Sequence, residues 1–342
     1  MIDRVTLVVS DLDRAEADYV RTFGCRVEQR ADIDPALIRV LCIRQARGRR
    51  SLLRLGRERI ELLEFTDSAG RPYPPGSTST DLWFQHMAIV VNDMRHAYQR
   101  VMANRGFRPI SRNGPVRLPD SSGGVTAFKF RDHDGHPLEL LAFPEGRVPG
   151  QWHSFNGADT FLGVDHTAIA VSDSARSARF FGSVFGFSAG IRTENRGPEQ
   201  ADLDDVEDVH VGVTRLASDL PAPRLELLNY HVGTRRPIPH DTASNDIVAT
   251  HSLVRVASVD ATAAALARCG RPLAGNDLMI LHGGIRAALV SGPDGHRFLA
   301  VERAAAAGYA APGPAPAASR TYAAPSHAPP RSCRDPNPTG AP

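Results

Sequence analysis

The sequence RIELLEF at residues 59–65 returns 165 residues later as RLELLNY at residues 224–230. The same offset relates RPYP at residues 71–74 to RPIP at residues 236–239, and His86 to His251. A fixed period of this kind is typical of a repeated structural unit. Acidic and imidazole groups inside apolar runs need a partner that offsets the cost of their burial. The repeat therefore predicts two related halves and favours a metal as that partner.

Length and composition limit the classes of protein that need to be considered. The 342 residues are enough for two domains with hydrophobic cores, and a net charge of +2 gives no indication of a nucleic-acid or membrane partner. Four cysteines without paired spacing predict a reducing compartment and no disulfides. No signal region or membrane-length apolar run is apparent, so we expect a cytoplasmic protein, either a monomer or a homodimer.

A finer repeat divides the chain into four modules, which we predict at residues 1–66, 84–143, 161–230 and 248–303. Each module opens with a strand-like apolar run, followed by a polar turn and an amphipathic helix that ends near a glycine. Several short β-patterned runs come next, and Asp-Gly pairs at 134–135 and 294–295 predict hairpins between them. The pattern is that of four βαβββ modules.

The modules group into two predicted domains, residues 1–145 and 160–303, which are joined by a linker at 146–159. The linker prediction rests on the glycine, proline and polar residues of that stretch. Residues 304–342 are rich in alanine and proline and cannot form a core. We predict that this tail is disordered.

The hairpin motif DHDGH at residues 132–136, the run PLELL at 137–141 and the strand HTAIAVSD at 166–173 resemble the vicinal oxygen chelate superfamily. That superfamily includes glyoxalase I, methylmalonyl-CoA epimerase, extradiol dioxygenases and bleomycin or fosfomycin resistance proteins. The resemblance covers residues 1 to about 303. It implies an α+β fold in which four βαβββ modules form two cupped mixed β-sheets, or half-barrels, with flanking helices. It is specific for the fold and much less so for the reaction.

The resemblance also implies where ligands for a metal would stand, because each module can offer one residue from its first strand and one from its last. In module order, the residues at these positions are Arg4 and Glu61, His86 and Glu139, His166 and Glu226, and His251 and Leu299. Pairing the modules in sequence order gives two incomplete ligand sets. Pairing module two with three, as in two-domain glyoxalases, gives one complete set. We call His86, Glu139, His166 and Glu226 the inner set, and Arg4, Glu61, His251 and Leu299 the outer set.

We predict one metal, held by the inner set, and a relic site at the outer set. Neutral imidazole and carboxylate ligands suit a divalent transition metal such as Zn²⁺, Ni²⁺, Co²⁺, Mn²⁺ or Fe²⁺, and the absence of thiolates argues against a purely structural zinc site. The expected substrate is a small molecule with two adjacent oxygens, which the metal would bind as a Lewis acid while it stabilises an enediolate. Either Glu226 or Glu139 would be the catalytic base, and the sequence leaves both open.

The sequence leaves three hypotheses for the function of the protein. The leading hypothesis is a metal-dependent lyase or isomerase of the glyoxalase or epimerase type, because four protein ligands are present. The second is an Fe²⁺-dependent extradiol-type dioxygenase that cleaves a catechol-like ring with two of the histidines and one glutamate. The third is a metal-free small-molecule binding or resistance protein.

Two further groups of polar residues stand near these motifs. Asn195, Arg196, Glu199 and Gln200 form a polar stretch that is either a mobile loop over the site or an ordinary surface loop. His133, His136 and His296 lie in or beside the predicted hairpin turns, where we expect them to be solvated.

Overall fold

The computed structural model describes residues 1–43, 46–153, 159–218, 223–271, 273 and 278–303. Over these residues the chain forms six α-helices and two curled mixed β-sheets, which confirms the predicted α+β class. The predicted disordered tail at 304–342 lies outside the described residues. None of the described helices has the length and apolar character needed to cross a membrane.

The four predicted modules follow one another along the chain. Module one contains β1 (Ile2–Val8), α1 (Leu12–Phe23), β2 (Arg26–Asp32), α2 (Pro35–Val40), β3 (Gly48–Leu55) and β4 (Glu58–Phe65). Module two contains β5 (Gln85–Val91), α3 (Met94–Met102), β6 (Arg108–Pro109), β7 (Val116–Arg117), β8 (Thr126–Arg131) and β9 (Pro137–Ala142). Module three contains β10 (Phe161–Ala170), α4 (Ser174–Phe185), β11 (Ser188–Arg196), α5 (Pro198–Asp204), β12 (His210–Ala217) and β13 (Arg224–Tyr230). Module four contains β14 (His251–Val256), α6 (Val259–Arg268), β15 (Met279–Leu281), β16 (Ile285–Ser291) and β17 (Arg297–Glu302).

Short-range sequence signals account for the first helix of each module. In each case the side chain of a capping residue accepts a hydrogen bond from the backbone N–H three residues later; these residues are Asp11, Asp93, Asp173 and Ser258. The helices α1 and α4 end at Gly24 and Gly186, which adopt the left-handed conformation that favours glycine. Each of the four helices therefore begins directly after a residue type that is favoured at the helix N-terminus.

Strand order decides which modules share a sheet. One sheet, here the outer sheet, has the order β15-β16-β17-β14-β1-β4-β3-β2 and joins modules one and four through the antiparallel pair β1 and β14. The other, the inner sheet, has the order β11-β12-β13-β10-β5-β9-β8-β6, with β7 also beside β8. It joins modules two and three through the antiparallel pair β5 and β10. The predicted exchange of modules is confirmed.

Reciprocal ion pairs link the two halves of the chain. Arg71 donates to Asp246 at 2.8 Å, and Arg236 donates to Asp81 at 2.7 Å. Both aspartates are buried, and the two pairs are related by the same 165-residue offset as the sequence repeat. The repeated RP motifs therefore act at the contacts between the halves.

Helix α2 packs on the face of the outer sheet that carries the outer set. Leu37 and Ile38 of this helix belong to one buried apolar cluster with Leu253, Leu289 and Leu299 of the sheet. In the inner sheet the corresponding face carries the inner set, and a cavity lies against it. The outer set therefore lies under a packed helix, whereas the inner set lies beside a cavity that could admit a ligand.

Candidate metal centre

The inner set occupies the four central strands of the inner sheet, in the order β13, β10, β5 and β9. Ala168 of β10 pairs in register with His86 on one neighbouring strand and Glu226 on the other. Ala88 of β5 stands in the same way between the other two members of the set. Because alternate residues of a strand point to the same face, this register directs all four side chains to one side of the sheet.

The four side chains of the inner set lie close together and are buried. Nε2 of His86 lies 3.0 Å from Oε2 of Glu139. Nε2 of His166 lies 3.7 Å from the same oxygen and 3.6 Å from Oε2 of Glu226. His86, Glu139 and His166 offer ligand atoms that all lie within 4.8 Å of one another. The structure therefore brings the predicted residues together in one cluster.

A carboxylate that the sequence analysis missed orients one of the histidines. Nδ1 of His166 lies 3.0 Å from Oδ2 of Asp165, and Arg224 donates to both oxygens of that aspartate at 2.6 Å. An Nδ1–H donor in this position leaves the lone pair on Nε2, the atom that faces the glutamates. Burial would raise the pKa of Asp165, but His166 and Arg224 hold it well below its usual value. The available signal was an aspartate directly before the histidine.

Burial and neighbouring charges shift the pKa values of the cluster residues in different directions. Burial lowers the pKa of His86, and its Nδ1 has no hydrogen-bond partner among the described residues. Burial opposes ionisation of Glu139, yet His86, Lys129 and His166 hold its pKa below the usual value. The pKa of His166 is raised because Glu226 and Asp165 outweigh the effect of burial. Imidazole nitrogen and carboxylate oxygen in a buried cluster are the donors that divalent transition metals prefer.

Each glutamate of the cluster has a cation in register on the next strand outward. Arg215 of β12 pairs with Glu226, and its Nε donates to Oε1 of that glutamate at 2.9 Å. Lys129 of β8 pairs with Glu139, and its Nζ donates to Asp204 at 2.6 Å. Burial would lower the pKa of Lys129, but Asp204 and Glu139 hold it above its usual value. A lone lysine inside an apolar strand was the signal that sequence reasoning left unused.

A cavity of about 300 Å³ opens onto the cluster and includes all four members of the inner set in its wall. Much of the remaining wall is apolar, with contributions from Leu118, Val125, Leu141, Phe143, Leu203 and Val213. Of the predicted polar stretch, Asn195 and Gln200 line this cavity, whereas Arg196 is exposed and contacts His210. The prediction of a loop is wrong, because these residues belong to the end of β11 and to α5.

The outer set lies in the equivalent register, since Thr6 pairs with both His251 and Glu61. Here Glu61 accepts hydrogen bonds from Arg4 at 3.1 Å and from Arg50 at 2.9 Å. Burial and the charge of Arg297 lower the pKa of His251 to about 3. The two arginines neutralise Glu61, the single carboxylate of the outer set, and a leucine stands at the fourth position. The outer set therefore offers a cation fewer ligand atoms than the inner set does.

The expectation that the hairpin histidines are solvated is wrong for two of them. His136 and His296 are buried, while His133 is exposed as expected. The hairpin turns bind the preceding module of the same half, since Asp134 accepts a hydrogen bond from the backbone N–H of Ser10, so the histidines face inward. Nδ1 of His136 lies 2.9 Å from Asp132, which raises its pKa despite burial. Gly292 stands four residues before His296, where Asp132 stands before His136, and burial lowers the pKa of His296 to about 4.

Comparison with known proteins supports the same architecture. Two sequence profiles described as the Glyoxalase/Bleomycin resistance protein/Dioxygenase superfamily match residues 3–124 and 163–299. No curated protein sequence matches the chain. Glyoxalase I from Zea mays superposes with a TM-score of 0.58 at 16% identity, covering 88% of this chain and 92% of that one. A putative dioxygenase from Bacillus subtilis superposes with a TM-score of 0.54 at 13% identity, covering 88% and 84%. At these identities the structural likeness shows the fold alone.

Proposed function

Because the chain belongs to the Glyoxalase/Bleomycin resistance protein/Dioxygenase superfamily, the vicinal oxygen chelate proteins, we propose that it is a metal-dependent enzyme acting on a small molecule with two adjacent oxygens. The observation that carries this proposal is the cluster of two histidines and two glutamates on the central strands of the inner sheet, at the wall of a cavity. The reaction class is that of a lyase or isomerase of the glyoxalase or epimerase type.

The proposed cofactor is one divalent transition metal, Zn²⁺, Ni²⁺, Co²⁺, Mn²⁺ or Fe²⁺, held by His86, Glu139, His166 and Glu226. When bound, such an ion supplies a Lewis acid for the two substrate oxygens. Asp165 supports this role because it orients the imidazole of His166 through Nδ1.

Glu226 is the proposed base that moves a proton between neighbouring carbons of the substrate. Arg215 fixes one of its oxygens and leaves Oε2 to receive and return the proton. Glu139 is the weaker candidate, because it lies 3.0 Å from His86 and the surrounding cations hold its pKa low. A carboxylate with a lowered pKa is a poorer proton acceptor.

Proton exchange tests this function. The protein, loaded in turn with each of the five metals, is incubated in D₂O with α-hydroxy ketones and with hemithioacetals of 2-oxoaldehydes, and deuterium entering the carbon next to the carbonyl is followed by NMR. Glu226→Gln should slow exchange by about 10²–10⁴-fold. Glu61→Gln, the matched change in the outer sheet, should leave the rate unaltered. Equal rates for both variants and the wild type would contradict the assignment of Glu226.

A second function is favoured by one feature of the cluster. Glu226 is bonded to Arg215, so the remaining His86, Glu139 and His166 form a group of two histidines and one carboxylate. This donor set is typical of non-haem Fe²⁺ oxygenases. Oxygen uptake with catechols by the Fe²⁺-loaded protein, without proton exchange, would favour an extradiol-type dioxygenase. Failure to retain any of the five metals would instead favour a metal-free binding protein.

A further inference from the structure

A chain of hydrogen bonds beside the candidate metal centre fixes the orientation of one amide in the cavity wall. It begins at Asp204, which is fully buried. Asp204 accepts hydrogen bonds from Nζ of Lys129 at 2.6 Å, from the hydroxyl of Tyr230 at 3.0 Å and from Nε2 of Gln200 at 2.7 Å. Lysine has only donors to offer, and an ionised carboxylate only accepts. The direction of these three bonds is therefore determined.

These bonds in turn fix which end of the Gln200 and Asn195 amides donates and which accepts. Since Gln200 must turn its NH₂ group toward Asp204, its Oε1 is left as an acceptor, and Nδ2 of Asn195 donates to it at 3.1 Å. Oδ1 of Asn195 must then point the other way. It has no hydrogen-bond partner among the described residues, although the side chain is more than nine-tenths buried. A buried acceptor without a partner is costly, and it becomes satisfied when a ligand brings a donor.

Asn195 lies in the wall of the same cavity as the inner set. Ile191 and Thr193, at alternate positions of β11, also line the cavity, whereas Glu194 is exposed. Asn195 pairs with Val211 of β12, which pairs in turn with Tyr230 of β13. Asn195 therefore lies two strands across the sheet and four residues along it from Glu226, roughly 16 Å between Cα positions. The wall between them is largely apolar, and the volume of about 300 Å³ is small for a ligand site.

We propose that Oδ1 of Asn195 accepts a hydrogen bond from a hydroxyl or N–H group of the substrate, and that Gln200 positions it for this role. The substrate class that follows is a small, mainly apolar molecule with two adjacent oxygens at one end and a hydrogen-bond donor at the other. This inference rests on the proposed function, which supplies the metal for the first end. Molecules that present only an acceptor at the second end are rejected, because they would face the fixed carbonyl oxygen.

Paired probes test the proposal on the full-length, metal-loaded protein. Benzohydroxamate and phenylacetohydroxamate each offer two adjacent oxygens, and each is used unsubstituted and with a hydroxyl or a methoxy group at the 3 or 4 position of the ring. Dissociation constants come from titration calorimetry. In the wild type, the best hydroxyl probe should bind about tenfold more tightly than its methoxy partner, the size expected for one added hydrogen bond.

The variants separate recognition from folding. Asn195→Leu should abolish the hydroxyl preference. Gln200→Leu should also reduce it, but by improving the affinity of the methoxy probes, because the freed amide of Asn195 can then turn its NH₂ group toward them. Glu194→Gln, on the exposed face of the same strand, should keep the wild-type ratio. Equal affinity of hydroxyl and methoxy probes in the wild type, with tight binding of the unsubstituted ones, would overturn this inference alone. Failure of every probe to bind the metal-loaded protein would overturn the proposed function and the inference with it.

Discussion

Asp165 and Asp3 occupy equivalent positions, each directly before the residue that its sheet offers to a site. Asp165 contacts the imidazole of His166, whereas Asp3 forms loose ion pairs with Arg4 and Arg255 at 3.5 and 3.4 Å. Asp165→Asn should weaken metal binding by about 10–100-fold, because it loosens the orientation of the ligand. Metal affinity measured by competition with a chelator checks this. Asp3→Asn is the matched control and should leave the affinity unchanged; equal losses in both variants would contradict the role of Asp165.

Glu58 predicts a pH dependence of stability. This carboxyl is buried at the start of β4 and accepts a hydrogen bond from the backbone N–H of Val164 at 3.3 Å. Burial raises its pKa from 4.5 to about 7. The folded protein therefore keeps a proton that the unfolded chain loses, so this group lowers stability as pH rises from 4.5 through about 7.

Glu58→Gln removes this dependence. Relative to the wild type, the variant should gain about 1–3 kcal/mol in its free energy of unfolding on going from pH 5 to pH 8. Urea unfolding at the two pH values measures the difference, and titration of all other groups cancels in the comparison. An identical difference at both pH values would show that Glu58 ionises normally in the folded protein.

At the residue scale, the sequence was sufficient for the candidate ligands but not for the burial of the hairpin histidines. The choice of His86, Glu139, His166 and Glu226 came from the family resemblance, applied to equivalent positions of the repeated strands. The burial of His136 and His296 could not be predicted in this way, because it depends on contacts between each hairpin and another module. A charged or polar residue in a turn is ordinarily solvated, and only the tertiary contact reverses this expectation.

At the scale of elements, the repeated RP motifs make a prediction about the contacts between the halves. Arg236 donates to both oxygens of Asp81, whose side chain is fully buried. Arg236→Ala would leave this carboxylate short of its main partner, so the free energy of unfolding should fall by about 1–3 kcal/mol. Chemical denaturation of the full chain measures the loss. Arg95→Ala, at an exposed position of α3, should stay within about 0.5 kcal/mol of the wild type. A loss no larger than that of the control would show that the ion pair between Arg236 and Asp81 does not stabilise the protein.

Two short helices escaped the sequence analysis, and both lie between strands where only β-runs were expected. The helices α2 and α5 have six and seven residues, and each begins with a proline. Segments this short span fewer than two turns, so a helical period cannot be recognised in them, and their stability comes from tertiary packing. They nevertheless distinguish the two sheets. Apolar side chains of α2 pack in one cluster with Leu299 of the outer set, whereas α5 supplies the polar residues Gln200 and Asp204 beside the cavity of the inner set.

At the scale of the whole molecule, the exchange of modules determines where a site can form. Each sheet takes strands from both halves of the chain, so the residues of the inner set come from residues 86–139 in the first half and 166–226 in the second. The repeat and the family resemblance were sufficient to predict this pairing. They were not sufficient to predict the ion pair between Arg50 and Glu61, because Arg50 stands on β3, outside the first and last strands of the module from which the resemblance draws ligands.

The metal stoichiometry of the intact chain tests whether the inner set holds the metal. After reconstitution and removal of unbound ions, elemental analysis should give one transition metal per wild-type chain. His86→Ala and His166→Ala should each abolish binding, since each removes one imidazole from the inner set, whereas His251→Ala should still bind one metal. Loss of the metal from His251→Ala, with its retention in His86→Ala, would show that the outer set and not the inner set holds the metal.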